Sequence, residues 1–271
     1  MLSLRRCLAA VVVAVVASHV AAAPAPSLLL DELTWTELRD EIKAGKTTVI
    51  VPVGGTEQSG PHMVLGKHNV RAGALAARIA ASLGNALVAP VVAYVPEGAI
   101  DPPAGHMRFA GTISIPEEAF EATLEGAARS LRSAGFRDIV LIGDHGGYQK
   151  SLAKVAAKLD RDWAKQASPA RVHAIEEYYR AGERGFAQAL REQGFSEQEI
   201  GTHAGAADTS LALAVDEKLV RSARLHDGSA LGRAEGVYGD PRRASAAAGR
   251  AGVDLIVART RDAIQREVAR R

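Results

Sequence analysis

The stretch VPVGGTEQSGPHMVLGKHN, residues 51–69, sets the fold and points to a site. A β-branched run beginning at Thr48 enters a glycine-rich turn that holds Glu57, Ser59, His62, His68 and Asn69, and a helix is expected from about Val70. Gly54, Gly55, Gly60 and Gly66 let the backbone fold tightly enough to bring Glu57 and His68 together. A strand, a polar turn and a helix in that order open a βα unit. In such units ligands collect at the carboxyl ends of the strands.

The pattern repeats outward along the chain. Apolar runs at residues 48–53, 86–95, 138–142 and 171–175 alternate with Ala-rich helical patterns at 35–44, 70–83, 116–134, 149–164, 208–215 and about 244–268. That alternation predicts an α/β fold, a mostly parallel sheet covered on both faces. Gly84, Gly135 and Gly194 stand where helices should end. Aromatic residues make up only 4% of the chain, so the core must come from Ala, Val, Leu and Ile. Residues 220–243, rich in Gly, Arg and Asp, read as a long surface loop. No repeat or linker divides residues 24–271, so one domain is expected.

Three further segments carry chemistry. In LIGDHGGYQK, residues 141–150, a strand ends in Asp144 and His145, and Gly146 and Gly147 turn the chain away without covering them. GTHAGAADTSLALAV, residues 201–215, sets His203 and Asp208 around the start of an apolar helix. PPAGHMRFAGTISI, residues 102–115, holds His106 in a Pro/Gly loop. Each has a plainer reading. Asp144 could cap the next helix, Asp208 could sit on a helix dipole with Thr209 or Ser210 as cap, and His106 could brace its loop. Their shared position after strands, with five of the eight histidines in Gly-flanked segments, favours a site.

The strings VGGTEQSGPHMVLGKH, FAGTISI, GDHGGYQ, HAGAADTS and GVYGDPRRA resemble, in the same order, the VGxxEQHGPHLPLGTD, GTI, NGHGGN, HAGExETS and GxxGDPxxA segments of the creatininase (creatinine amidohydrolase) family. The resemblance implies a three-layer αβα sandwich, assembly as a homo-oligomer, and hydrolysis of an amide-type C–N bond at a divalent metal. It implies Glu57 and His145 as metal ligands and His203 as a proton-transfer group. The departures are informative. Ser59 stands for the histidine of EQHG, His68 for the aspartate of GTD, Ala206 for the glutamate of HAGE, and Asp208 for the glutamate of ETS. A bridging carboxylate offers two oxygens to two cations, whereas an imidazole offers one nitrogen to one.

Glu57, His68 and His145, with Asp208 joining, are therefore expected to hold a single ion per chain, with Zn²⁺ favoured and Mn²⁺ or Fe²⁺ compatible. Water activated by that ion would attack a small cyclic amide, a formamide-like group or a short peptide. His203 would protonate the leaving nitrogen, and Asp208 would orient the water or complete the coordination shell. Backbone N–H groups at Gly146 and Gly147 would face the oxyanion. Ser59, His62, Asn69 and His106 would position substrate or support the ligands. The altered residues also admit a second reading, an inactive periplasmic ligand-binding protein on the same fold.

The amino end, MLSLRRCLAAVVVAVVASHVAAAPAP, has Arg5 and Arg6, a short apolar run and small residues near Ala23, the pattern of an export signal over residues 1–23. The run is shorter than the ~20 residues of a membrane span. Ordinary secretion to the periplasm or beyond is favoured over a twin-arginine route. Removing that segment removes Cys7, the one cysteine, so metal ligands must be nitrogen and oxygen. Without Arg5 and Arg6 the 33 basic residues fall to 31, matching 31 acidic ones, and nucleic acid is excluded as an expected partner. A small molecule is the expected substrate.

Overall fold

The computed structural model describes residues 27–226, 228 and 231–270. The expected export signal at residues 1–23 lies outside them. Four strands, β1 (Thr48–Val53), β2 (Ala86–Val88), β3 (Asp138–Gly143) and β4 (Arg171–Ala174), form one parallel sheet in the order β2-β1-β3-β4. In β1 and β3 every residue is buried, the mark of a sheet covered on both sides.

The two faces separate by the alternation along each strand. Ile50, Val88, Val140 and Ile142 pack beneath α2 (Lys67–Leu83) and α9 (Ala246–Ala269) through Leu75, Ile79, Val253 and Ile256. Val49, Val51, Leu87, Ile139 and Leu141 face α3 (Glu117–Ala134) and α4 (Gln149–Lys165) through Phe120, Leu124, Leu152 and Trp163. The result is a three-layer αβα sandwich. Helix α1 (Trp35–Lys43) begins with a capping box between Thr34 and Glu37. Gly84 (φ 80°) and Gly135 (φ 115°) take the left-handed conformation that ends α2 and α3.

Several boundaries differ from expectation for physical reasons. The apolar run 86–95 yields only three strand residues, because Pro90 has no N–H for the ladder; the chain rejoins β1 through a single bridge between Val53 and Val92. Helix α2 begins at Lys67 instead of Val70, with Gly66 as its N-cap, so His68 and Asn69 project from a helical first turn. After β4 the chain forms α5 (Glu177–Arg180), a π-helical turn (Ala181–Gly185), α6 (Phe186–Glu192) and α7 (Glu197–Ile200), then α8 (Ala206–Val215). Residues 220–243 are not simply a surface loop. Val220, Leu225 and Val237 are buried in a small cluster with Met63, Ala204 and Leu219. Among the described residues no helix is long and apolar enough to cross a membrane.

Candidate metal centre

The turns after β1 and β3 and the start of α2 converge at the carboxyl end of the sheet. Tyr148 locks the two strand ends together: its hydroxyl donates to the Gly54 carbonyl (2.6 Å) and the Val53 carbonyl (2.9 Å) and accepts the N–H groups of Asp144 (3.1 Å) and His145 (3.0 Å). Asn69 fixes the β1 turn by accepting the Gly55 N–H at 2.9 Å, and Thr112 does so by accepting the Gln58 N–H at 3.0 Å. Segments distant in sequence thereby hold one loop.

Glu57 stands at the centre, its side chain fully buried. Four imidazoles surround it. His68 Nε2 is 3.1 Å from Oε2 and His203 Nδ1 is 3.9 Å from it; His106 Nε2 is 3.3 Å and His145 Nε2 3.8 Å from Oε1. Burial alone would raise the Glu57 pKa, but the His68 hydrogen bond, with the pull of the surrounding imidazoles, outweighs it and holds the carboxylate well below its ordinary range. His145 and His203 are lowered to about 4, chiefly by burial, so both rings are neutral at pH 7. A cavity of about 490 Å³ opens beside them, lined by His68, His106, His145 and His203 with Tyr178 and Tyr179.

Sequence reasoning missed four participants. Gln58 links the rings: its Nε2 lies 2.6 Å from His106 Nδ1 and donates to the Gly236 carbonyl at 3.2 Å, while its backbone carbonyl lies 3.0 Å from His203 Nε2. Glu97 places a side chain with no exposed surface beside His145, Oε2 lying 3.6 Å from Nδ1. Lys67 and Arg71 make up the third and fourth. Arg71 binds Asp144 (2.8 Å) and Asp208 (2.7 Å), and the buried Lys67 ammonium pairs with Asp208. Glu97 follows an apolar run between Pro96 and Gly98, the same strand-then-turn grammar as Glu57, and that was the available signal.

The expected site residues divide accordingly. Glu57, His68, His106, His145 and His203 come together. Asp208 does not reach the cluster: its carboxylate takes Lys67, Arg71 and the Ala204 N–H (3.1 Å), and those cations overcome burial to hold it well below the usual range. His68 lies between two carboxylates, with Nδ1 2.6 Å from Asp144 Oδ2 and Nε2 3.1 Å from Glu57 Oε2. Asn69 shapes the turn. His62 is buried behind it with Nε2 3.0 Å from Thr209 Oγ1. Ser59 is buried, and its Oγ has no hydrogen-bond partner. The Gly147 N–H points back to His145 Nδ1 at 3.2 Å, and a side chain at Gly146 would meet the Tyr179 hydroxyl.

The residues present suit a divalent cation. Glu57 Oε1 and both oxygens of Glu97 are buried without a hydrogen bond. Such orphaned oxygens beside imidazole nitrogens are costly alone and favourable around a metal. Two sets have ligand atoms within 4.8 Å of one another, Glu57 with His106 and His203, and Glu57 with Glu97 and His145.

An αβα sandwich with a buried carboxylate and imidazole cluster at its strand ends is the layout of a metal-binding α/β protein. The chain belongs to the creatininase family: the family model described as creatinine amidohydrolase matches residues 31–264. A mycofactocin precursor peptide peptidase of Mycolicibacterium smegmatis is 39% identical over 116 residues, covering 41% of this chain and 44% of that protein. The creatinine amidohydrolase of Pseudomonas putida is 32% identical over 126 residues, 46% of this chain and 47% of that protein. These matches thus span about half the length of the curated relatives. A crystal structure of creatinine amidohydrolase aligns with a TM-score of 0.74 at 26% identity, covering 90% of this chain and 98% of that one. A structure described as creatininase Mn aligns with a TM-score of 0.72 at 26% identity, covering 89% of this chain and 98% of that one.

Proposed function

We propose that this chain is a metal-dependent amidohydrolase that cleaves a C–N amide-type bond in a small cyclic amide, a formamide-like group or a short peptide. The observation that carries the reading is the buried Glu57 carboxylate, one oxygen unpartnered, ringed by four imidazoles at the mouth of a cavity. Relatives named as an amidohydrolase and a peptidase, and related structures described with Mn or Zn, support it. Glu57 and His145 would hold the ion, which when bound supplies Lewis acidity to polarise a carbonyl and to make water acidic enough to attack it.

The protein's own groups do the remaining work. His203 lies 3.0 Å through Nε2 from the Gln58 carbonyl and donates to it, which leaves Nδ1 as the basic nitrogen facing the centre. Neutral at pH 7, that ring accepts a proton from the attacking water and returns it to the leaving nitrogen. His106, held through Nδ1 by Gln58 and with Nε2 3.3 Å from Glu57, lines the cavity and positions the substrate carbonyl. Asp144 anchors His68, and His68 anchors Glu57. The setting belongs to the same reading: residues 1–23 serve as an export signal to the periplasm or beyond, and the protein assembles as a homo-oligomer.

The test is turnover of cyclic amides, formamides and dipeptides by the exported form supplied with Zn²⁺ or Mn²⁺. Cleavage that disappears in Glu57→Gln and His145→Ala supports the enzyme. If no substrate is cleaved while members of the panel still raise the melting temperature, the chain is a binding protein on this fold.

A further inference from the structure

The Glu57, Glu97 and His145 arrangement resolves which residues complete the ion site, an inference that rests on the metal-dependent reading above. We propose that Glu97 is a ligand of the ion, that Glu57, Glu97 and His145 form its site, and that His68 lies outside it as the group that positions Glu57.

Four observations support this assignment. First, Glu97 has a side chain with no exposed surface, and neither of its oxygens has a hydrogen-bond partner. A buried carboxylate in that state lacks compensation from the protein alone. Second, the backbone is built to hold it there. Ser114 Oγ accepts the N–H groups of Glu97 (3.0 Å) and Gly98 (3.2 Å), and Gly55, with φ 149°, leaves open the space where a Cβ would come within 2.5 Å of Glu97 Oε1.

Third, both nitrogens of His68 are already hydrogen-bonded to carboxylates, at 2.6 Å and 3.1 Å. Among the described residues, His68 belongs to neither set of converging ligand atoms. Fourth, Asp208 is consumed by Lys67 and Arg71. The resemblance expects a carboxylate where this chain has His68; Glu97, carried on the segment after β2, returns one to the centre from another direction.

The test is calorimetric titration of Zn²⁺ into the metal-free full chain, with the visible absorption spectrum of the Co²⁺-loaded protein as a report on the ligand set. Glu97→Gln keeps the shape of the neutral acid and removes the ligand charge. It is expected to weaken Zn²⁺ binding by at least about 100-fold, beyond the 10–100-fold of a supporting residue, and to change the Co²⁺ spectrum. Metal-free stability should be unchanged or higher. Wild-type affinity and spectrum in Glu97→Gln, with binding lost in Glu57→Gln, would overturn the assignment of Glu97 and leave the metal-dependent reading standing. A wild-type chain that binds no Zn²⁺, Mn²⁺ or Co²⁺ overturns both. If Glu97→Gln does not fold, Glu97→Asp takes its place: a shifted Co²⁺ spectrum supports the assignment, and an unchanged one overturns it.

Discussion

Replacing Asp208 with asparagine should weaken the fold without removing the ion. Lys67 is only 1% exposed, and among the described residues Asp208 is the carboxylate within ion-pair distance of its ammonium. Arg71 shares Asp208 but keeps Asp144 at 2.8 Å. Breaking a buried pair from one side costs about 3–5 kcal/mol, because the other charge stays buried and uncompensated. Arg71 retains a partner, so the loss belongs near the lower end, about 3 kcal/mol. For a chain of this size that corresponds to a fall in melting temperature of about 6–12 °C. Urea unfolding of the metal-free protein followed by circular dichroism measures it, with the slope of free energy against urea unchanged. Adding Lys67→Met to Asp208→Asn should recover at least half of the loss, since the stranded cation is gone. A loss below about 1 kcal/mol would refute the ion-pair reasoning, and so would normal stability with abolished Zn²⁺ binding, which would make Asp208 a ligand.

Tyr148→Phe removes the hydroxyl that two strand-end N–H groups and two carbonyls share, so a loss of about 2 kcal/mol is expected in the same unfolding assay. His62 gives a pH signature. Its pKa is lowered to about 4, first by burial and then by Lys67, against the opposing pull of Asp208 and an Ala204 backbone hydrogen bond. The unfolded chain binds this proton near pH 6.5 and the folded one near pH 4, so stability is full above about pH 6.5 and is lost as the pH falls to about 4. The His62 share is about 3 kcal/mol, at about 1.36 kcal/mol per pKa unit. His62→Gln should flatten the stability profile between those pH values; an unchanged slope would contradict the assignment.

Much of the architecture was readable because burial on both faces leaves a simple trace. β1 and β3 are continuous apolar runs, and the glycines at 84 and 135 end helices as their lack of a side chain allows. The run at 86–95 misled because apolar character persists past Pro90, where hydrogen bonding does not. Helix α2 starts three residues before the sequence pattern suggests, because Lys67, His68 and Asn69 look like turn residues. Buried partners absorb their polarity: Asp208 for Lys67, Asp144 and Glu57 for His68, and Gly55 for Asn69.

The candidate site was legible as a set of strand-end segments, less so as a set of roles. Histidine is conspicuous in a Gly-rich loop, and Glu57, His145 and His203 stood out. Glu97 and Gln58 did not, because one acid or amide in a loop has many ordinary uses and only the fold brings each against a ring. Asp208 read as a catalytic group because its two cations, Lys67 and Arg71, lie 141 and 137 residues earlier. The contact between His68 and Asp144 is likewise visible only in space, where the ring and carboxylate meet across 76 residues of chain.

The most direct measurement is anomalous X-ray scattering at the zinc edge from crystals of the full chain reconstituted with Zn²⁺. A peak within about 2.0–2.2 Å of a Glu57 oxygen and a His145 nitrogen is the expected result. No peak at Glu57 after reconstitution, or one that survives Glu57→Gln in place, would contradict the account.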